Sequence, residues 1–122
     1  MVAIHALKKK LPFSLRKKLP SQIGIIAISP KVSRRLNKIY RGKDKATNVL
    51  SFFYSKKYAE ILVCPEVVRK EARAQRHSYK YQMTWMVLHG TLHLAGIHHE
   101  RSKLSAGRAE KLEQNILSKI FK

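Results

Sequence analysis

The sequence predicts an α+β fold, a small mixed sheet of about four strands packed against about four to five helices. Three observations point there. A β-branched run, Gln22 to Ser29, is closed by Pro30. Long stretches in the second half carry apolar residues at helical rather than alternating spacing. The chain has 122 residues, 44% of them apolar, and at this size a fold buries roughly two-thirds of the surface its unfolded form exposes. Residues 1–122 are therefore read as a single domain, with no repeat, low-complexity tract or linker to divide it.

Taken in order, residues 2–7 are a short apolar edge-strand candidate, and Gln22 to Ser29 is a firmer strand through Ile23, Ile25, Ile26 and Ile28. Lys31 to about Tyr40 reads as a helix with Val32, Leu36 and Ile39 on one face and Arg34, Arg35 and Lys38 on the other. Arg41 to Thr47 makes a charged loop. Strands follow at Val49 to Tyr54 and Glu60 to Cys64, joined by a turn bearing Lys56 and Lys57. Pro65 suits a first helical position and Glu66 the first turn, so a helix runs to about Arg76. Tyr79 to Ala95 is apolar on most sides, with Met83, Trp85, Met86, Val87, Leu88, Leu92 and Leu94, the mark of a central helix; Gly96 ends it. The last helix, about Ser105 to Ile120, places Leu112, Ile116 and Ile120 on one stripe, with Leu117 and Phe121 beside it.

Composition narrows the function. Cys64 is the only cysteine, which excludes a disulfide-framework mini-protein and favours a reducing compartment, read as the cytoplasm. No apolar run approaches the roughly 18 to 20 residues of a membrane-spanning helix, and the basic first twenty residues lack the apolar segment of a secretory signal. The formal charge is +19, from 26 Lys plus Arg against 7 Asp plus Glu, and residues 1–43 hold twelve of the basic residues and no acid. Such a surface attracts nucleic acid or another polyanion; a solvated, supercharged surface is the alternative that composition leaves equal.

Chemistry concentrates in His89-Gly90-Thr91-Leu92-His93-Leu94-Ala95-Gly96-Ile97-His98-His99, which holds four of the six histidines. His89 and His93 stand four apart on a helix, so their imidazoles share a face, and the bend at Gly96 lets the chain return with a third nitrogen donor. Three neutral ligands with an open position describe a catalytic zinc site on the central helix and the following turn. Zinc peptidases carry a glutamate base directly after the first histidine; Gly90 occupies that position, which removes a peptidase mechanism. A helical glycine costs about 1 kcal/mol against alanine, so another backbone or a substrate is expected to pass close by. Three imidazoles leave the metal its full double charge, suited to a phosphodiester.

The histidine stretch resembles the H-G-x-L-H-L-x-G-x-D-H signature of the YbeY family, metal-dependent endoribonucleases associated with ribosomal RNA maturation and small-subunit quality control. Two further segments are similar to that family: Leu36 to Phe52, its arginine-containing loop and following strand, and Glu60 to Glu66, its next strand and helix start. The resemblance covers roughly residues 22–120 in three ordered motifs. It implies a zinc-dependent endoribonuclease acting in ribosomal RNA processing and ribosome biogenesis, with RNA and the small ribosomal subunit as partners. By the same resemblance the metal ligands are His89, His93 and His99, and Arg41 is the loop arginine. The chain departs from the pattern at His98 (the family's Asp), at Ala59-Glu60 (its Gly-Asp) and at Phe53 (its Pro). Loss of a carboxylate that orients a ligand costs 10- to 100-fold in affinity or activity as a rule of thumb, about 1–3 kcal/mol, so His98 bears on how the site is oriented.

The expected mechanism has zinc on His89, His93 and His99 binding a phosphate oxygen and activating water, with Arg41 as a bidentate clamp on the developing charge. Arg41, Lys43 and Lys45 are the candidate nucleic-acid contacts, with Lys56, Lys57, Arg69, Arg73 and Arg76 as further phosphate candidates. Met83, Trp85 and Met86 are read as core, Cys64 as a buried thiol, His5 and His77 as surface residues. Glu110 and Glu113 are expected at the surface, although an acid from their helix could orient a ligand imidazole. The rival reading is a basic RNA-binding or ribosome-assembly module whose metal is structural or vestigial.

Overall fold

The computed structural model describes residues 4–97 and 103–121. Its elements, in chain order, are α1 (Ile4–Lys10), α2 (Phe13–Arg16), β1 (Gln22–Ala27), α3 (Pro30–Arg41), β2 (Val49–Phe53), β3 (Tyr58–Val63), α4 (Pro65–Gln75), α5 (Tyr79–Leu94) and α6 (Lys103–Ile120). The α+β class is as expected, but among the described residues the sheet has three strands where about four were expected, and there are six helices. The lost strand is the segment at 2–7. From Ile4 onward it is helical: Leu7 and Leu11, four apart, are the buried residues, with Ile4, Leu15 and Leu19 packed beside them. That spacing is a helical stripe which a window of six residues is too short to separate from a strand. Lys8, Lys9 and Lys10 then fall in the last turn of α1, where the helix dipole favours cations.

The strand order is β1-β3-β2, with β1 parallel and β2 antiparallel to β3. Alternation along β3 sends Ala59, Ile61 and Val63, all at 0% exposure, into the core. Tyr58, Glu60 and Leu62 point to the opposite face, beside Leu50 and Phe52 of β2 and Gln22, Gly24 and Ile26 of β1. The core is the layer between the sheet and α5, whose Met83, Met86, Val87, Leu88, Leu92 and Leu94 are all buried. Burial on nearly every side of α5 matches its unbroken apolar character in the sequence.

Local chemistry sets the helix limits. Ser29 and Ser78 cap α3 and α5 by accepting from the amides of Val32 and Tyr81 at 3.2 and 3.0 Å. Helix α4 stops one residue short of its expected end because Arg76 takes a left-handed conformation at φ 59°. Helix α5 ends in a Schellman turn. Gly96, at φ 89°, donates to the His93 carbonyl at 3.0 Å and Ile97 donates to the Leu92 carbonyl at 2.9 Å, which reverses the chain. Helix α3 differs from expectation in its buried face. Ile39 is 63% exposed, whereas Ser33 and Asn37 are buried, because that face serves the backbone of the loop after it: the Ser33 hydroxyl bonds Thr47, and the Asn37 amide donates to the Lys45 carbonyl.

Candidate active site

Helix α5 presents His89 and His93 to a cleft of about 560 Å³, lined also by Gly90, by the edge strand β2 from Val49 to Phe52, and by Tyr40, Arg41, Thr47 and Asn48. The two imidazoles lie one turn apart with ring centroids 4.6 Å from each other. The helix can sit against the sheet here because residue 90 has no side chain. A Cβ on Gly90 would fall 2.8 Å from Ser51 Oγ, 3.0 Å from Ile61 Cγ2 and 3.2 Å from Val49 Cγ2. The backbone expected beside the glycine is therefore the sheet itself, and the Ser51 hydroxyl seals the contact by donating to the Gly90 carbonyl at 2.9 Å.

Helix α6 supplies an acid beside a histidine of the cleft, the alternative to a surface position for its glutamates. Glu113 is 2% exposed and accepts from Trp85 Nε1 at 2.9 Å and from His89 Nδ1 at 2.8 Å. A buried carboxylate between two ring nitrogens is held by both donors. It fixes the His89 tautomer: the proton sits on Nδ1 and the lone pair of Nε2 is left for a ligand. Trp85 is half-buried against the core, where it was expected within it, and also positions the acid. Glu110, near the middle of α6, is exposed as expected. The signal for Glu113 in the sequence was its place beside the buried stripe of Ile116 and Leu117, but nothing local showed which residue it would meet 24 positions away.

Across the cleft, Arg41 ends α3 just before Gly42, which takes φ 69°. Its loop is tied down. Besides the Ser33 and Asn37 bonds, Arg34 grips Asp44 through Nε at 2.7 Å and a second nitrogen at 3.2 Å. The Asn48 amide meets the Glu71 carboxylate at 3.0 Å. The hydrogen bond and charge of Arg34 hold the Asp44 carboxyl below its usual value, and Asp44 raises Arg34 in return. Lys43 and Lys45 are exposed on this loop outside the cleft lining. Cys64 is a buried free thiol, His5 is exposed, and His77 is half-buried and bonded to Gln82 at 2.9 Å rather than lying at the surface.

His98 and His99 lie outside the described residues, so the structure places two of the three expected ligands. Among the described residues no three His, Cys, Asp or Glu side chains converge on one point. The donors that are present fit a metal: neighbouring imidazoles that line a polar cleft, with one anchored through its far nitrogen by a carboxylate, the usual support of a metal-ligating histidine. A second cavity, of about 650 Å³ between α1, the start of α5 and the end of α6, is lined by no His, Cys, Asp or Glu.

Fold and cleft together define an α+β protein with a helix-borne histidine pair, braced by a buried acid and faced by a loop arginine. The family model described as endoribonuclease YbeY matches residues 2–121, and the chain belongs to that family. An endoribonuclease YbeY of Acinetobacter baylyi is 40% identical over 114 residues, covering 84% of this chain and 72% of the relative. One from Burkholderia pseudomallei is 37% identical over 105 residues, covering 82% of this chain and 57% of the relative, so the chain spans little more than half of that protein. The solution structure of a Thermotoga maritima protein superposes with a TM-score of 0.58 at 28% identity, over 95% of this chain and 82% of that one.

Proposed function

We propose that this protein is a zinc-dependent endoribonuclease that hydrolyses phosphodiester bonds in ribosomal RNA. The observation that carries the reading is the His89 and His93 pair, with His89 braced by Glu113, opening on a cleft that Arg41 borders. Its relatives named endoribonuclease YbeY support the reaction class, and a net charge of +19 supports a polyanionic substrate. Among the described residues no helix is long and apolar enough to cross a membrane.

His89, His93 and His99 would hold the ion. When bound, it would supply a positive charge that polarises a phosphoryl oxygen and lowers the pKa of water towards about 7. The rest falls to this chain's own groups. Glu113 keeps the His89 proton on Nδ1 and so keeps Nε2 available. Arg41, permanently charged, matches two phosphate oxygens at once and steadies charge that grows on them. Gly90 provides close packing and no proton acceptor, which separates this site from a zinc peptidase. Lys43 and Lys45 can meet phosphates of the chain leading away from the cleft.

The test is cleavage of a structured ribosomal RNA fragment by the purified chain, with chelator and with zinc added back. Cleavage that chelator abolishes and zinc restores, and that His93→Ala loses, is expected. Cleavage that survives both treatments overturns the reading, and salt-sensitive RNA binding with no turnover under any metal would make the protein a binding module instead.

A further inference from the structure

We infer that Tyr40, Phe52, Tyr54 and Tyr58 form a base-stacking platform that receives single-stranded RNA and leads it into the histidine cleft. The inference rests on the proposed function for the identity of the polymer. Its physical basis is the sheet face turned away from α5. Tyr40 meets Phe52 edge-on at 5.1 Å; Phe52 and Tyr54 are near-parallel at 6.4 Å, and Tyr54 and Tyr58 at 5.9 Å. Tyr40, Tyr54 and Tyr58 are 64%, 60% and 37% exposed. Large rings set side by side in water on a sheet are costly to leave bare, and a contiguous patch of them marks a binding surface.

The rings are also held in place. Glu60 accepts from the Tyr54 hydroxyl at 2.8 Å with one oxygen and from the Tyr58 hydroxyl at 2.7 Å with the other. The sheet leaves room for the last ring: on the adjoining strand, a Cβ at Gly24 would stand 3.0 Å from the Tyr58 hydroxyl oxygen. A carboxylate whose two oxygens are both engaged by these phenols fixes their orientation before any ligand arrives, which lowers the ordering cost of binding.

Charge and continuity select the occupant. Lys56 and Lys57 form the exposed turn between the strands that carry Tyr54 and Tyr58, and exposed Lys43 and Lys45 follow Tyr40 and Arg41. Tyr40 and Phe52 belong at once to the aromatic row and to the cleft lining, beside Arg41 and the histidines. A row of rings flanked by cations takes unpaired bases, whose faces stack on it while the backbone lies along the lysines. A duplex hides those faces inside its own stack.

Equilibrium binding, read by fluorescence anisotropy in the presence of chelator, tests this without turnover. The probes are a single-stranded RNA of about twelve nucleotides and a duplex of the same length. Tyr54→Ala and Tyr58→Ala are each expected to weaken single-strand binding about 5- to 30-fold. The salt slope stays constant, since no charge is removed, and duplex binding is unchanged. Tyr54→Phe, which keeps the ring but loses its bond to Glu60, is expected to weaken single-strand binding less than Tyr54→Ala does. Alanine variants that bind the single strand as tightly as the parent, or lose both RNAs equally, overturn the platform. Cleavage by the parent protein, scored separately, reports on the proposed function alone: RNA that is bound through these rings but never cut refutes the nuclease and leaves the platform standing.

Discussion

Glu113→Gln separates the orienting role of the buried acid from its bulk. In the parent, both carboxylate oxygens accept, one from Trp85 Nε1 at 2.9 Å and one at His89 Nδ1 at 2.8 Å. An amide has one accepting oxygen. If it turns that oxygen to Trp85, its NH2 faces His89 and can be satisfied only by an Nδ1 lone pair, which moves the imidazole proton to Nε2 and closes the position open to metal. If it turns the oxygen to His89, two N–H groups confront each other at Trp85, and the unsatisfied buried donor costs about 1–3 kcal/mol. The first arrangement avoids that cost, so the variant is expected to fold while its zinc affinity falls about 10- to 100-fold, or about 1.4–2.7 kcal/mol. Competition with a chromophoric chelator at neutral pH measures the affinity, and a thermal melt checks the fold. A variant that melts like the parent and binds zinc within about twofold of it (0.4 kcal/mol) would refute the tautomer argument.

Gly90→Ala gains up to about 1 kcal/mol of helix propensity, but the new Cβ meets Ser51 Oγ at 2.8 Å and Ile61 Cγ2 at 3.0 Å. Overpacking of that kind costs about 1–3 kcal/mol, so the variant should melt several degrees below the parent; an equal or higher Tm by calorimetry counts against close helix–sheet packing at this point. The bonds to Glu60, and then burial and its charge, raise the ionisation of Tyr54 and Tyr58 above the ordinary value for tyrosine. Raised folded values mean that the stability these hydroxyls contribute is complete below about pH 10 and is lost as pH rises through the raised values. Phenolate absorption should therefore show Tyr54 and Tyr58 ionising late, and Glu60→Ala should move both to earlier ionisation. Identical titrations of parent and variant would contradict the Glu60 contacts.

What could be read from the sequence follows the range of each interaction. The strand Gln22–Ala27 was legible from its β-branched isoleucines and α5 from its apolar character on nearly every side, and the shared face of His89 and His93 follows from helical geometry alone. The glycine after the first histidine signalled a close neighbour, though not that the neighbour was Ser51 and Ile61. Residues 2–7 misled because Ile4, Leu7 and Leu11 reveal their period only when the window extends beyond the predicted strand. Glu113 and the aromatic row were hidden for another reason. Each residue looks ordinary where it stands, and only the packing of α6 on α5, or the pairing of Phe52 with Glu60 across β2 and β3, brings it to its partners. The same holds for Ser33 and Asn37, polar residues buried because a loop backbone needs their hydrogen bonds.

If imidazoles of α5 hold one metal ion, His89 ligates it through Nε2 while Glu113 keeps its Nδ1 protonated. Nitrogen NMR of histidine-labelled protein, followed during zinc titration, reads each ring nitrogen separately. At one equivalent of zinc, the Nε2 resonance of His89 is expected to shift to a metal-bound position while its Nδ1 remains protonated, and His93 is expected to change over the same titration. A His89 that ligates through Nδ1, or ring resonances of both histidines that do not respond to zinc, would contradict this ligation.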